Sequence, residues 1–422
     1  MKKIVYPSSL HNAKIELPAS KSLSHRALSA ASLAEGTSIL HHVVDNKDTE
    51  ATISVLKKRG VVFEKTDAEE TLLVHGIGKE NHYDGSLLDC NESGSTLRFM
   101  IPLFALSRGV TKFTGHGKLM ERPQSVYEDL FHKQGLQFEK KDSILFVEGP
   151  LKAGTYHIRG DVSSQFITGL LYALPLLEES STLIVEPPFE SASYVAMTIS
   201  SLKKAGIVIK QNGLEFDIPG GQIYQPFEDT IEGDASQMAF FAEAACLSEA
   251  EIEVSTLSHT RIQGDEAAAD IVHTLGAIVR ETETGYIFKK GDMHGGVVDL
   301  ADCPDLGPAL FALASGCKGT TTFLHAGRLR IKESDRIAAM ETEMRKLGCH
   351  ITSDPDTVTV SYTEKIRGNV TLDGHNDHRI VMSLAVLASA ADGPVAIEGA
   401  EAITKSYPSF FEDLEKTGVK VQ

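Results

Sequence analysis

A chain of 422 residues with 41 Lys and Arg against 58 Asp and Glu, net charge −17, is long enough for two or three domains. It is too acidic for general binding to nucleic acid or an anionic membrane, although a local basic cleft for small anions can sit inside an acidic shell. With 42% hydrophobic and 23% charged residues and no low-complexity tract, it is neither disordered nor fibrous.

The chain opens on two short strands, KIVYP and AKIELP. Residues 1–7 contain no apolar run of signal-peptide length, and no window approaches the roughly 20 apolar residues of a membrane span. The expectation is a soluble cytoplasmic protein. From there one pattern recurs: an amphipathic stretch, a Gly, then alternating apolar residues. It reads LKKRGVVFE at 56–64, FHKQGLQFE at 131–139, LKKAGIVIK at 202–210, VHTLGAIVR at 272–280, MRKLGCHIT at 344–352 and LEKTGVKV at 414–421. The glycines, 60, 135, 206, 276, 348 and 418, are spaced by 75, 71, 70, 72 and 70 residues, which marks an internal repeat. Gly is the usual residue just past a helix C-terminus, and a period of two after it reads as a half-buried strand.

A second helix recurs at the same period. Its starts are Ser20-Lys21-Ser22, Ser93-Gly94-Ser95-Thr96, Ser163-Ser164-Gln165, Gly233-Asp234-Ala235-Ser236, Asp302-Cys303-Pro304-Asp305 and Asn376-Asp377-His378-Arg379. Runs such as FITGLLYALPLL and RIVMSLAVLASAA follow them. Being apolar nearly all round, these helices should be buried and the amphipathic set should lie outside. A unit of about 70 residues is too small to bury its own apolar face, so units must pack together. The simplest arrangement is α/β with three units in each of two domains. The first would be 1–19 with 228–422, its last unit completed by the N-terminal strands; the second would be 20–227, with crossovers near 20 and 228. Periodicity alone also allows a ring of six.

Helix starts favour anions, because their free N–H groups and dipole present positive charge. Plain N-capping by Ser, Asp and Asn competes with that reading. The cations nearby tip the balance: Lys21, Arg26, Arg98 and Arg379 at helix starts, and Arg122, Arg261, Arg328, Arg330, Lys332, Arg336 and Lys405 in the loops before outer helices. Brought to one face by the repeat, they would suit a ligand with two or more anionic groups, Arg by bidentate contact and Lys as a point charge. Asp305 and Glu333 lie among them and could move protons or simply form salt bridges. Five cysteines, at 90, 246, 303, 317 and 349, have no CxxC spacing, so neither a disulfide framework nor a zinc ribbon is expected. His375 and His378 lack a third ligand motif, and Gly115-His116-Gly117-Lys118 is not a Walker loop.

The segments LPASKSLSHRALSAASLAEGTS, DCNESGSTLRF, ERP, DVSSQF, IKESDR, NDHR and KSYPSFF, in this order from about residue 14 to 415, closely resemble the 5-enolpyruvylshikimate-3-phosphate synthase family of enolpyruvyl transferases. The resemblance implies two domains of three βαβαββ units joined by two hinge strands. It also implies transfer of the enolpyruvyl group of phosphoenolpyruvate to the 5-hydroxyl of 3-phosphoshikimate, on the route to chorismate and the aromatic amino acids. No metal and no organic cofactor are implied, and the expected partners are these two small molecules, bound by a monomer that closes on them.

Position by position, the resemblance assigns Lys21, Ser22, Arg26, Ser163, Ser164, Gln165, Ser191 and Tyr194 to 3-phosphoshikimate, with Asp305 and Lys332 at its reacting hydroxyl. Arg122, Arg336, Arg379 and Lys405 would clamp phosphoenolpyruvate, with Gly94 giving close backbone approach, His378 on the phosphate side, and Lys21 and Gln165 touching both substrates. Asp305, Lys332, Glu333 and Lys21 would be the catalytic group. Three positions depart from the family pattern: Glu92 adds a negative charge near a phosphate site, Phe99 replaces a Pro, and Arg328 replaces an Asn. Gly94, rather than Ala, implies sensitivity to glyphosate, a competitor of phosphoenolpyruvate in this family. Two rival readings fit the residues less well. A UDP-N-acetylglucosamine enolpyruvyl transferase carries a reactive Cys in a mobile loop, but 111–124 contain none. A non-catalytic binder of phosphometabolites would have no use for Asp305, Lys332 and Glu333 together.

Overall fold

The six glycines of the recurring pattern all take positive φ: Gly60 111°, Gly135 73°, Gly206 77°, Gly276 97°, Gly348 85° and Gly418 95°. Each follows an outer helix, where the chain must turn through the left-handed region that Gly enters without steric cost. The protein, in a computed structural model, is described over residues 1–66 and 70–422.

Helices alternate between inner and outer along the chain. They are α1 Lys21–Leu33, α2 Lys47–Arg59, α3 Gly94–Phe104, α4 Ser125–Lys133, α5 Ser164–Ala173, α6 Ala192–Lys204, α7 Ala235–Cys246, α8 Ala267–Thr274, α9 Gly307–Ala314, α10 Arg336–Lys346, α11 His378–Ser389 and α12 Phe410–Glu415. Every residue of α7, α9 and α11 is buried, as the all-round apolar sequence requires. The outer α8 buries only Ala268, Ala269 and Val272.

The strands form six four-stranded sheets among the described residues. One repeat shows the plan. Thr155–Arg159 runs parallel to Ser181–Glu186 across the α5 crossover. Ser181–Glu186 then pairs antiparallel with Glu215–Ile218, and Lys210–Asn212 forms the edge. This is the βαβαββ unit.

The chain divides into two compact units, Met1–Pro18 with Gly233–Gln422, and Ala19–Glu232. Each has its own apolar core. The strands expected to complete the last repeat go to different sheets. Lys2–Tyr6 inserts between Val395–Glu398 and Lys420–Val421, with Lys2 opposite Glu398 and Val5 opposite Val421. Ala13–Glu16 instead runs parallel to Glu251–Ser255, with Ile15 opposite Val254. Glu228–Thr230 runs parallel to Glu35–His41, so the chain leaves the Ala19–Glu232 unit after residue 230 and not before it. The physical reason is common to both cases. The first repeat of each unit lacks the parallel strand that precedes its inner helix, and a segment from elsewhere supplies it. All five cysteines are free and buried. No helix among the described residues is long and apolar enough to cross a membrane.

Candidate active-site residues in the two units

The inner helices other than α9 begin on capped turns. Ser20 Oγ accepts from Leu23 N at 3.4 Å, Ser93 Oγ from Thr96 N at 3.1 Å, Ser163 Oγ from Gln165 N at 3.3 Å, and Asp377 Oδ1 from Arg379 N at 3.0 Å. Capping therefore uses the residue just before each helix. The charged side chains one to six residues later reach other elements.

In the Ala19–Glu232 unit, Lys21 donates to Asp48 Oδ2 at 3.2 Å, an acid at the start of α2. Thr52 and Thr96 tie α1, α2 and α3 together: His25 Nδ1 lies 2.8 Å from Thr52 Oγ1, which lies 2.6 Å from Thr96 Oγ1. Arg26 is buried, and its guanidinium donates to Ser22 O at 2.8 Å, Tyr194 O at 2.8 Å and Thr198 Oγ1 at 3.0 Å. It faces the rings of Phe99 and Tyr194. Its position joins α1 to α6, and burial lowers its pKa from the ordinary arginine value. Ser191, buried, precedes α6 in the left-handed region with φ 54°.

Gly94, Arg122, Ser163 and Gln165 form a second group. Arg98 organises it, donating to Gln165 Oε1 at 2.8 Å, Ser163 Oγ at 3.4 Å and Pro123 O at 3.0 Å, with its guanidinium 4.5 Å from the Phe166 ring centre. Gln165 Nε2 in turn donates to Ser95 Oγ at 3.0 Å. A Cβ placed on Gly94 would lie 2.7 Å from Arg122 Nη1. Ser164 is buried at the first turn of α5. The α3–α5 contact behind this group is close, since a Cβ on Gly169 would sit 2.4 Å from Arg98 O.

In the other unit, three cations and three acids interlock. Asp305 Oδ1 accepts from Lys332 Nζ at 3.1 Å and Arg336 Nη1 at 3.0 Å, and Oδ2 lies 3.2 Å from Arg379 Nη2. Arg336 also donates to Glu333 Oε2 at 2.7 Å and to both oxygens of Asp377. Arg379 donates to Asp305 O at 3.0 Å and Ser236 Oγ at 2.8 Å. Burying charges in this way is tolerable only because each is paired. Burial alone would raise the Asp305 pKa, yet Lys332, Arg379 and Arg336 hold it well below the usual carboxylate range. Burial lowers the Lys332 pKa, Asp305 opposes that, and the positive charges of Arg328 and Arg336 add to it. Burial opposes the charge on Arg336, but Asp377, Glu333 and Asp305 outweigh it and raise its pKa. His378 is buried at the head of α11. Lys405, also buried, donates to Asn376 O at 2.6 Å.

The loop cations do not all gather. Arg261 is exposed and pairs with Asp270 at 3.0 Å. Arg330 reaches Asp354 O, Pro355 O, Ser353 Oγ and Asp335 instead of the Asp305 cluster. Arg328 is buried beside Lys332. The sequence reading gave no role to Asp48, Thr198 or Ser236. Asp377 reads in sequence only as a cap, because its ion-pair partner Arg336 comes from a segment that no local pattern links to it.

A protein-family profile described as EPSP synthase (3-phosphoshikimate 1-carboxyvinyltransferase) matches residues 5–414. A 3-phosphoshikimate 1-carboxyvinyltransferase of Clostridium novyi is 40% identical over 98% of this chain and 97% of its own length. One from Clostridium kluyveri is 41% identical over 97% of this chain and 95% of its own. Among solved structures, an EPSP synthase from Acinetobacter baumannii has a TM-score of 0.82 at 24% identity, covering both chains completely. The enolpyruvyl transferase NikO from Streptomyces tendae has a TM-score of 0.81 at 15% identity, covering 100% of this chain and 98% of its own.

Proposed function

The chain belongs to the EPSP synthase family, and on that premise we propose how its residues divide the reaction. The activity is transfer of the enolpyruvyl group of phosphoenolpyruvate to the 5-hydroxyl of 3-phosphoshikimate, with release of phosphate, in the shikimate pathway. The observation that carries the assignment of chemistry is the Asp305–Lys332–Arg336–Arg379 cluster, an ionised acceptor within 3.2 Å of three cations.

Phosphoenolpyruvate is a poor electrophile until C3 takes a proton. Glu333, positioned by Arg336, gives that proton from its protonated form, while Asp305 with Lys332 takes the proton of the attacking 5-hydroxyl. The new C–O bond at C2 gives a tetrahedral ketal. Glu333, now a carboxylate, takes a proton back from C3 as the C2–O bond to phosphate breaks, and the departing phosphate carries off the proton held by Asp305 and Lys332, which restores the double bond. Lys332 suits proton traffic because burial and the neighbouring Arg328 and Arg336 ease release of its proton.

Arg122, Arg336, Arg379 and Lys405, with Gly94 and His378, are assigned to phosphoenolpyruvate. Ser22, Arg26, Ser163, Ser164, Ser191 and Tyr194 are assigned to 3-phosphoshikimate, with Lys21 and Gln165 touching both. Arg26 acts largely by holding the Tyr194 carbonyl and α6. Preorganised cations stabilise charge as it develops, because they need no reorganisation at the moment of reaction. The enzyme acts as a cytoplasmic monomer.

The test is phosphate release on mixing both substrates with wild type and Asp305→Ala. The variant should lose about 10²–10⁴ in kcat, the span of general acid–base contributions. Turnover near wild type would remove Asp305 from the chemistry.

A further inference from the structure

We infer that His375 is a positioning residue for phosphoenolpyruvate: it pins the turn that carries Asn376 and Asp377 to Glu343 of α10. The inference rests on the assignment of Lys405 and Arg336 to that substrate.

The turn is Gly374-His375-Asn376-Asp377. Asp377 N donates to Gly374 O at 2.9 Å, and both central residues take positive φ, His375 51° and Asn376 52°. That is the pattern of a type I′ turn, which Gly, Asn and Asp fill readily. Asn and His both enter the left-handed region more readily than most side chains, so the backbone accepts this turn, and what fixes it against α10 is the side-chain bonding of its first residues. His375 N donates to Asp373 Oδ1 at 2.7 Å, and its ring Nε2 lies 3.1 Å from Glu343 Oε1.

Glu343 is an unusual anchor for a residue on an outer helix. Its side chain is 1% exposed, and it also accepts from Lys346 Nζ and from Asp373 N at 3.0 Å. It therefore grips both ends of the segment 373–375. The groups facing the His375 ring are Glu343 and Lys346 from α10 and Asp373 from the strand Val370–Asp373. The hydrogen bond to Glu343 raises the His375 pKa above 6.5, with Asp373 and the Glu343 charge adding to it, against burial and Lys346.

What the turn delivers lies on its other side. Asn376 O accepts from Lys405 Nζ at 2.6 Å, and Asp377 holds Arg336 Nε at 2.8 Å. Two cations assigned to phosphoenolpyruvate thus take their aim from consecutive residues of one turn. If the turn relaxes, both move together.

The experiment compares His375→Asn, Glu343→Gln, Lys405→Met and Arg336→Lys with wild type, by KM for each substrate and kcat between pH 6 and 8.5. Asn keeps the backbone preference of the turn and cannot reach Glu343. His375→Asn should raise KM for phosphoenolpyruvate about ten-fold near pH 6, the value of one charge-assisted hydrogen bond. The KM for 3-phosphoshikimate should stay unchanged and kcat should change little. The ratio of variant to wild-type KM should fall toward one as pH rises, because wild type then loses the imidazolium too. Glu343→Gln, which keeps the shape of the anchor, should raise the same KM. If Lys405→Met raises the KM while His375→Asn and Glu343→Gln match wild type across the pH range, the inference fails alone. If Lys405→Met and Arg336→Lys both leave it unchanged, the assignment of the clamp fails, and the inference with it.

Discussion

Arg336 and Asp377 meet in a buried, two-pronged ion pair, Nε to Oδ2 at 2.8 Å and Nη2 to Oδ1 at 3.3 Å, with side chains 1% and 0% exposed. Asp377 also caps α11. Asp377→Asn keeps a good cap and removes only the charge. Arg336 would retain Glu333 and Asp305 but lose its most buried partner. A loss of about 2–3 kcal/mol in stability is expected, with a higher KM for phosphoenolpyruvate. Urea unfolding with an unchanged midpoint would show that the pair is dispensable.

Gly94 and Arg122 leave no room for a side chain between them. The Cβ of Gly94→Ala would lie 2.7 Å from Arg122 Nη1 and 3.2 Å from Gln165 Oε1. Gln165 is held by Arg98 and cannot yield, so the tip of Arg122 must. A flexible guanidinium moves at little cost to the fold. The variant should therefore melt within about 0.5 kcal/mol of wild type. Its KM for phosphoenolpyruvate should rise, while that for 3-phosphoshikimate holds. Equal affinity for phosphoenolpyruvate in both proteins would remove Arg122 from that role.

His25 is a neutral histidine by construction. Burial, then the charges of Lys21 and Arg26, lower its pKa to about 3. The unfolded chain has the ordinary value of about 6.5, so it binds the proton that the folded state refuses. Stability from this group is complete above pH 6.5 and is lost as pH falls through 6.5 toward 3. Between pH 6.5 and 5 the loss should be about 2 kcal/mol in wild type and absent from His25→Asn. Urea titrations at the two pH values give the comparison, and parallel losses in both proteins would contradict it.

The repeat glycines separate backbone strain from crowding. At Gly135, φ is 73° and nothing lies within 4 Å of an added Cβ. Gly135→Ala should cost about 1–2 kcal/mol, the left-handed penalty alone. At Gly276, φ is 97° and the added Cβ would meet Asp292 O at 2.2 Å. Gly276→Ala must also displace backbone and should cost clearly more. Equal denaturation midpoints would mean that the two turns relax alike.

The repeat was legible because its physics is local. A Gly such as Gly206 ends a helix by its φ, and a run such as FITGLLYALPLL can only be an inner helix. The helix starts likewise gave Lys21, Gly94, Ser163 and Arg379 their places. What sequence could not give was the partner supplied from afar. Nothing local says that Lys2–Tyr6 and Ala13–Glu16 part company, since each sheet would accept either strand by pattern. The same limit hid the direction of long cations. Arg261 and Arg336 read alike in their loops, yet one reaches Asp270 at the surface and the other four oxygens in the interior. Arg98 is visible as a helix-start cation, but its reach to Gln165 depends on the closeness of two helices at Gly169, which no local pattern gives.

The pairing of Lys2 with Glu398 carries a consequence for the order of events on the ribosome. Residues 19–232 form an uninterrupted stretch and can collapse as they emerge. The strand Lys2–Tyr6, made long before its partners, has no sheet neighbour until residues 395–421 have been translated, so it waits unpaired while the intervening residues are made. Its two consecutive lysines, Lys2 and Lys3, are the kind of charge that keeps such an orphan from pairing with the wrong nascent chain.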